Sequence, residues 1–378
     1  MVISRRKVLS ILGGGVVLAA AGTGYRVTRL PKDAVAPWTA AGTYSEPRMR
    51  ALSHAILAPN PHNRQPWVVD LGTDDQVALY VDTERLLPHT DPFSRQIVIG
   101  LGCFLEVMRM AAAEDGFAVT FDLFPDGMPG DTLDDRPVAV ARFGPGGQGD
   151  PLFAQVPFRR SLKEPFDTTR PVASDRLSAI LSAAQVTRVG GSVAEDDIAF
   201  WRGFSREALQ IEIDTPRTYK ESVDLFRIGV REIEANPDGI DFSGPMFETM
   251  AVTGLFTRES ALDRSSMAFV EGNKAVFATT DTAMGHLWQI TQSNTRIDQI
   301  AAGRDWVRLN LAATALGVGM QPLSQALQEY PEMAEHYDRI HERLAPDGGT
   351  VQMFARIGYG PEVPVSPRWP LEAKLLNA

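Results

Sequence analysis

Two stretches of this chain occur twice in the same order, and that repetition constrains its fold more than any other feature. Ala55-Ile56-Leu57-Ala58 parallels Ala179-Ile180-Leu181-Ser182 at an offset of 124 residues (179 − 55). Met108 to Gly116, an alanine-rich run ending in glycine, parallels Leu309 to Gly317 at an offset of 201 (309 − 108). The second copy therefore carries 77 additional residues (201 − 124) between the two elements. Two alanine-rich helices resemble each other by composition alone. The shared order favours duplication of one α+β unit, with a polar, mostly helical insertion at about 194–261.

Apolar periodicity and turn residues predict the elements. In the first half they predict a helix over 47–57, a strand over 68–71, strands over 77–81, 118–123 and 137–142, and a helix over 96–115 closed by Gly116. In the second half they predict a helix over 174–184, strands over 186–190, 274–280 and 352–357, and helices over 282–292 and 305–316. The glycine-rich stretch 144–149 marks a boundary. The expected organisation is a signal or anchor at 1–30, a linker at 31–46, a first repeat at 47–150 and a second at 151–372.

The chain has 378 residues, with 37 Lys and Arg against 47 Asp and Glu, a net charge of −10. No basic run interleaves with aromatics, so a nucleic-acid partner is not expected. Cys103 is the one cysteine and excludes an intramolecular disulfide. Ser4-Arg5-Arg6-Lys7-Val8-Leu9 precedes an apolar run from Ile11 to Gly22. This order resembles a twin-arginine export signal, which implies the export machinery as a partner and a periplasmic or otherwise exported protein. The apolar run is shorter than the roughly 20 residues that span a bilayer, and no clean cleavage site follows. Cleavage and retention as an inner-membrane anchor both stay open.

Three clusters carry candidate chemistry. Ala58-Pro59-Asn60-Pro61-His62-Asn63-Arg64-Gln65-Pro66-Trp67 is a proline-stiffened loop bearing side-chain amides, suited to the edge of a flat heteroaromatic ligand. Phe158-Arg159-Arg160-Ser161-Leu162-Lys163 places Arg159, Ser161 and Lys163 on one side of an extended segment, a pattern suited to a phosphate. In the tail, Arg368 lies among prolines. His336 and His341 are five apart and face different ways on a helix, so no metal site is expected. There is no Gly-x-Ser-x-Gly elbow, Cys-x-x-Cys or Walker loop.

Together these pieces resemble the FMN-dependent nitroreductase family over roughly residues 47–372. Asn63-Arg64-Gln65-Pro66-Trp67 is similar to its Asn-x-Gln-Pro-Trp motif, and Arg159-Arg160-Ser161-Leu162-Lys163 to its Arg-x-Ser-x-Arg/Lys motif. Leu311–Gly319, Arg356–Gly360 and Pro367-Arg368 resemble its C-terminal helix, closing strand and phosphate arginine. The arginine motif ordinarily precedes the amide motif; here the order is inverted, as in the two-repeat Acg-type branch. The resemblance implies a nitroreductase-like α+β fold, with two fused repeats forming a pseudo-dimer of helices packed on mixed or antiparallel sheets. One non-covalent FMN would lie between them. Arg159, Ser161, Lys163 and Arg368 would hold its phosphate and ribityl chain, and Asn63 and Gln65 would reach the ring edge. Ser324 and Gln325 would lie near N5. No protein acid or base is required, because the flavin carries the hydride. The implied activity is reduction of a nitroaromatic, quinone or similar small acceptor. Reduced nicotinamide is cytoplasmic, so for an exported enzyme the donor becomes an open question, with a membrane quinol as one answer. The alternatives are a flavin-sequestering protein whose insertion forms a lid, and a binding module without flavin.

Overall fold

A computed structural model describes residues 30–376. The twin-arginine segment lies outside the described residues, apart from Leu30.

Helix α1 (Pro47–Ala55) starts where Pro47 presets φ and the Glu46 carboxylate accepts from the Met49 amide. Strands β1 (Trp67–Asp70) and β2 (Gln76–Val81) follow, then helix α2 (Arg95–Glu114), then β3 (Phe117–Leu123) and β4 (Ala139–Pro145). The four strands form an antiparallel sheet ordered β1-β2-β4-β3. Helix α2 is apolar almost all round and long enough by composition to cross a membrane, but it is buried in the core of the fold.

The second half repeats this plan. Helix α3 (Ser174–Leu181) leads into β5 (Arg188–Ser192). The insertion then runs through α4 (Glu195–Asp214), α5 (Pro216–Asp224), β6 (Phe226–Ile228), α6 (Val230–Ala235), β7 (Ile240–Phe242), α7 (Pro245–Thr253), α8 (Arg258–Leu262) and α9 (Met267–Asp281). It has its own small apolar core, in which Phe226, Phe242, Phe247 and Phe256 pack ring against ring. After it come β8 (His286–Thr291), α10 (Arg296–Ala315), β9 (Gly319–Pro322), α11 (Ala334–Leu344) and β10 (Thr350–Gly358). The second sheet is ordered β5-β8-β10-β9 and is also antiparallel. Without the insertion's strands, both sheets read first, second, fourth, third.

Helices α2 and α10, both 20 residues long, pack against each other at the centre of the molecule. Their crossing is pinned by Gly102 and Gly303. A Cβ on Gly102 would lie 2.3 Å from the Ile300 carbonyl oxygen, and one on Gly303 would lie 2.0 Å from that of Ile99. Both pairs keep the sequence offset of 201 (303 − 102 and 300 − 99). Residue i meets the equivalent of j and j meets the equivalent of i, as in an isologous twofold contact. Glycine costs a helix interior about 1 kcal/mol relative to alanine, and here the close approach requires it twice.

Two sequence expectations exchange places. Residues 274–280, expected as a strand, belong to helix α9. The β-branched and aromatic side chains there suggested a strand, but the Ser266 side chain caps the helix by accepting from the Phe269 amide. Residues 282–292, expected as a helix, hold strand β8. It lies between β5 and β10 and is buried on both faces, so its sequence lacks alternation. Helix α10 begins nine residues before its expected start (305 − 296), at a Thr295–Asp298 capping box.

The 31–46 segment, expected as a linker, is an ordered arm. It forms a helical turn over Pro37–Ala40, and the Trp38 indole donates to the Ser366 carbonyl at 2.8 Å. The tail crosses from the second half to the first, where Leu375 bridges Val69 at the edge of the first sheet.

Candidate functional site

The amide loop follows α1 and is held in an uncommon conformation. His62, Asn63 and Gln65 have φ of 46°, 53° and 50°, in the left-handed region that non-glycine residues rarely occupy. Such strain clusters at ligand sites because the surroundings must over-determine it. The surroundings do so here. The Asn60 side chain accepts from the Gln65 amide at 2.7 Å, and Pro59, Pro61 and Pro66 restrict the flanks.

Facing this loop is the second-half segment 159–163. Leu162 bonds through its amide to the Met320 carbonyl at 3.0 Å. The buried Arg356 guanidinium donates to the Leu162 and Glu164 carbonyls at 3.2 and 2.7 Å, and also to the Gln321 side chain. Arg356 thereby fixes the backbone that carries Ser161 and Lys163. Between the loop, this segment and α2 lies a cavity of about 250 Å³. Of the eight residues expected in the site, Asn63, Arg159, Ser161, Lys163, Ser324, Gln325 and Arg368 line it. Residues from both halves of the chain are thus brought together across a separation of 96 positions (159 − 63).

Gln65 is the exception. It is wholly buried behind the loop, donating to the Pro237 carbonyl at 2.7 Å and accepting from the Trp369 amide at 2.9 Å. It braces the loop against the insertion and the tail. Asn63 reaches the cavity, but its amide is already engaged. The nitrogen donates to the Pro367 carbonyl at 3.0 Å and the oxygen accepts from Arg368.

The cavity wall is strongly cationic. Arg368 is 2% exposed and donates to the Ile56, Leu57 and Ala58 carbonyls at the end of α1. Arg159 is also buried, donating to the Leu57 carbonyl at 3.1 Å and approaching the Asn310 side chain at 3.4 Å. Helix-end carbonyls suit cations, but they carry only partial charge. Among the described residues, no carboxylate forms an ion pair with Arg159, Arg160, Lys163 or Arg368. Burial pushes the Arg159 guanidinium down to about 10, and burial with the neighbouring Arg159 pushes Arg368 down to about 9. Both remain charged at neutral pH. Lys163 and Ser161 make no hydrogen bond among the described residues and face the same space. Trp38 of the arm completes this side, with the Arg160 and Arg368 guanidiniums 5.0 and 5.5 Å from its ring centre.

Two further features were not read from the sequence, apart from Gln325. The insertion docks onto the amide loop through Asp238, whose carboxylate meets Arg85, Arg227 at 2.6 Å and Arg64 at 3.8 Å. Burial alone would raise Asp238, but Arg227 and Arg85 outweigh it and hold the carboxyl below its ordinary range. Beside it, Ile240 lines the cavity, and Asp241 is raised by burial against the opposing charges of Lys163 and Arg368. The second feature is an amide wall, Gln325 and Gln328, backed by the buried Glu212. Gln325 was expected in the site; Gln328 and Glu212 were not, and the glutamines recurring at 321, 325 and 328 were their only sequence signal. Cys103 also lines the cavity, but burial raises its thiol to about 12, so it is not a nucleophile at neutral pH.

No family model matches the chain. It is similar to two proteins of Mycobacterium tuberculosis that are provisionally named NAD(P)H nitroreductases. The one called acg is 26% identical over 345 residues, covering 85% of this chain and 93% of its own length. Rv3131 is 24% identical over 324 residues, covering 84% and 87%. Among solved structures, the FMN-dependent nitroreductase NfnB of Mycobacterium smegmatis in complex with NADPH covers 58% of this chain and 94% of its own. It aligns at 17% identity and a TM-score of 0.34. A provisionally named nitroreductase of Anabaena variabilis covers 90% and 91% at 12% identity, with a TM-score of 0.40.

Proposed function

We propose that this chain is an FMN-binding oxidoreductase of the nitroreductase class, a fused pseudo-dimer that binds one flavin per chain. The observation that carries this reading is the cavity wall, where two buried arginines, Lys163 and Ser161 converge with no carboxylate in ion-pair contact among the described residues, the Asp241 carboxyl acting on Lys163 and Arg368 only from beyond that distance. A buried cation without a counter-charge is costly unless a ligand supplies one, and a phosphate dianion does so. Curated relatives with nitroreductase names, aligned over most of their length, support the same class.

In this reading Arg159, Ser161, Lys163 and Arg368 hold the phosphate and ribityl chain. Ser324 and Gln325 lie against the reactive edge of the ring. When bound, FMN supplies two-electron hydride chemistry. The chain's own groups orient it and exclude water, and Arg356 keeps the 159–163 segment in register. The acceptor class is a nitroaromatic, quinone or similar small molecule. The sequence of residues 1–30 supports twin-arginine export, and for an exported enzyme a membrane quinol is the proposed donor. The insertion pinned over the loop by Asp238 favours a second reading, a protein that encloses flavin without turnover.

Titrating flavin-free protein with FMN and riboflavin tests the binding. Saturation at one FMN per chain, with riboflavin far weaker, is expected; two per chain, or equal affinity for riboflavin, overturns it. Stopped-flow reduction separates turnover from storage, since a bound flavin that no donor bleaches excludes the enzyme.

A further inference from the structure

We infer that Gln328, held in orientation by Glu212, reads the ring edge of the bound flavin by accepting a hydrogen bond from its N3–H. This rests on the flavin reading above and goes beyond it, because the ring-edge contact was expected from Asn63 and Gln65.

Those two amides are committed elsewhere. The Asn63 oxygen takes a bond from Arg368 and its nitrogen serves Pro367. Gln65 spans Pro237 and Trp369 behind the wall. Asn60, the third side-chain amide of the loop, lines the cavity, but it accepts from the Gln65 backbone amide and donates to the Ala58 carbonyl. The loop that sequence marked as the ring reader therefore has little free hydrogen-bonding capacity.

Gln328 is different. It lines the cavity at 4% exposure, its nitrogen donates to a Glu212 carboxylate oxygen at 3.0 Å, and its own oxygen is enclosed with no partner. A carboxylate only accepts, so Glu212 fixes which end of the amide turns toward it and leaves the oxygen for a ligand. Glu212 forms no ion pair among the described residues and is itself 7% exposed. A second donor, the Ser222 hydroxyl, approaches the same carboxyl at 3.4 Å.

The chemistry of the ring edge explains why an acceptor is needed. The pyrimidine edge of an isoalloxazine presents two carbonyl oxygens flanking one N–H. The N–H requires an acceptor, and Gln328 Oε1 is a buried one left unpaired. Sites built around a hydrogen bond reject analogues that lack the matching group.

The test uses flavin-free full-length protein and two probes, FMN and 3-methyl-FMN, with binding read by flavin fluorescence. Wild type is expected to prefer FMN by roughly tenfold to a hundredfold, the range for an unmatched buried polar group. Gln328→Met keeps the length but accepts nothing useful, and should bring the two affinities within about threefold of each other. Glu212→Gln can donate to Gln328 and turn its nitrogen toward the cavity, so it should also erode the preference while still binding the phosphate. Equal affinities in wild type, or a preference unchanged in both variants, overturn the inference while FMN binding stands. If FMN does not bind wild type at all, the flavin reading falls and takes the inference with it.

Discussion

Replacing Asp238 by alanine should release the insertion from the amide loop. Asp238 is 4% exposed and is the hub for three arginines, Arg64, Arg85 and Arg227. Breaking a buried ion pair by removing one partner costs about 3–5 kcal/mol, because the other charge is left unpaired. Here the arginine side chains keep 12–20% of their surface, so water can partly solvate them once the carboxylate is gone. A loss of about 2–3 kcal/mol is therefore the working estimate. Among the described residues the ties left to the loop itself, Gln65 to Pro237 and Gly239 to Asn63, are single hydrogen bonds worth about 1 kcal/mol each, while Glu221 and Glu234 hold the insertion to the first half elsewhere, through the His89 and Thr90 amides and the amides of 32–34. The closed arrangement should thus open about 30- to 150-fold more often.

Two assays read this. Limited proteolysis within 226–262 should accelerate by that factor when cleavage is slow relative to reclosing, with or without flavin. FMN dissociation, followed by fluorescence recovery, should accelerate in parallel. The pH dependence adds a signature. The Asp238 carboxyl is held below its ordinary value in the folded state, so its contribution is fully present above the unfolded carboxylate pKa, about 4. It is lost only as pH falls through the lowered folded value. Wild type should therefore stay closed at pH 5, and Asp238→Asn should have an opening rate that does not change between pH 5 and 3 through this group. Unchanged proteolysis in Asp238→Ala would refute the clamp and the role given to the insertion.

Other perturbations test the remaining parts. Arg159→Met should raise the melting temperature of the flavin-free protein, since it removes a buried charge with no acid partner, while abolishing the preference for FMN over riboflavin; a variant that moves both in the same direction contradicts the functional reading. Asp241→Asn should tighten FMN about three- to fivefold in a titration, because the carboxylate opposes the phosphate at Lys163 and Arg368, a screened effect below 1 kcal/mol. Gly303→Ala and Gly102→Ala should each cost about 3 kcal/mol or more in denaturant unfolding, because the added Cβ meets a backbone carbonyl at 2.0 and 2.3 Å; a mild effect at either would contradict the tight crossing.

The sequence was most legible where local chemistry and fold agree. Helix α2, its Gly116 terminus with φ of 82°, and the strands flanking it fall within a few residues of expectation. The loop 58–67 was legible as rigid because prolines announce stiffness. What it did not announce was which amides are already used, since Asn63 and Gln65 find partners about 300 and 172 residues away. Strand β8 was unreadable because a strand buried on both faces loses its alternation. Asp238 and Glu212 were invisible for a related reason. A single acid in a polar insertion acquires meaning only from the arginines or amides that tertiary packing brings to it.

The repeat also explains why one half of the molecule differs so much from the other. In a homodimer every substitution appears twice, so both sites must change together. In a fused chain each half can change alone. By the offset of 201, Cys103 on the cavity floor corresponds to Arg304, which is bonded to Glu106, a wholly buried carboxylate also paired with Arg109 and Arg308. By the offset of 124, Asn63 corresponds to Thr187. The loop there is closed down on Asp305, whose carboxylate accepts from the Gln185, Val186 and Thr187 amides and the Thr187 hydroxyl. Where one side presents a small thiol and cations facing a cavity, the other presents cations neutralised by acids and a loop drawn onto a carboxylate. A phosphate would gain little there, because the arginines already have their anions. The single insertion, docked on the loop of the first side only, follows the same asymmetry, and it is this pairing of equivalent positions that argues for one flavin per chain.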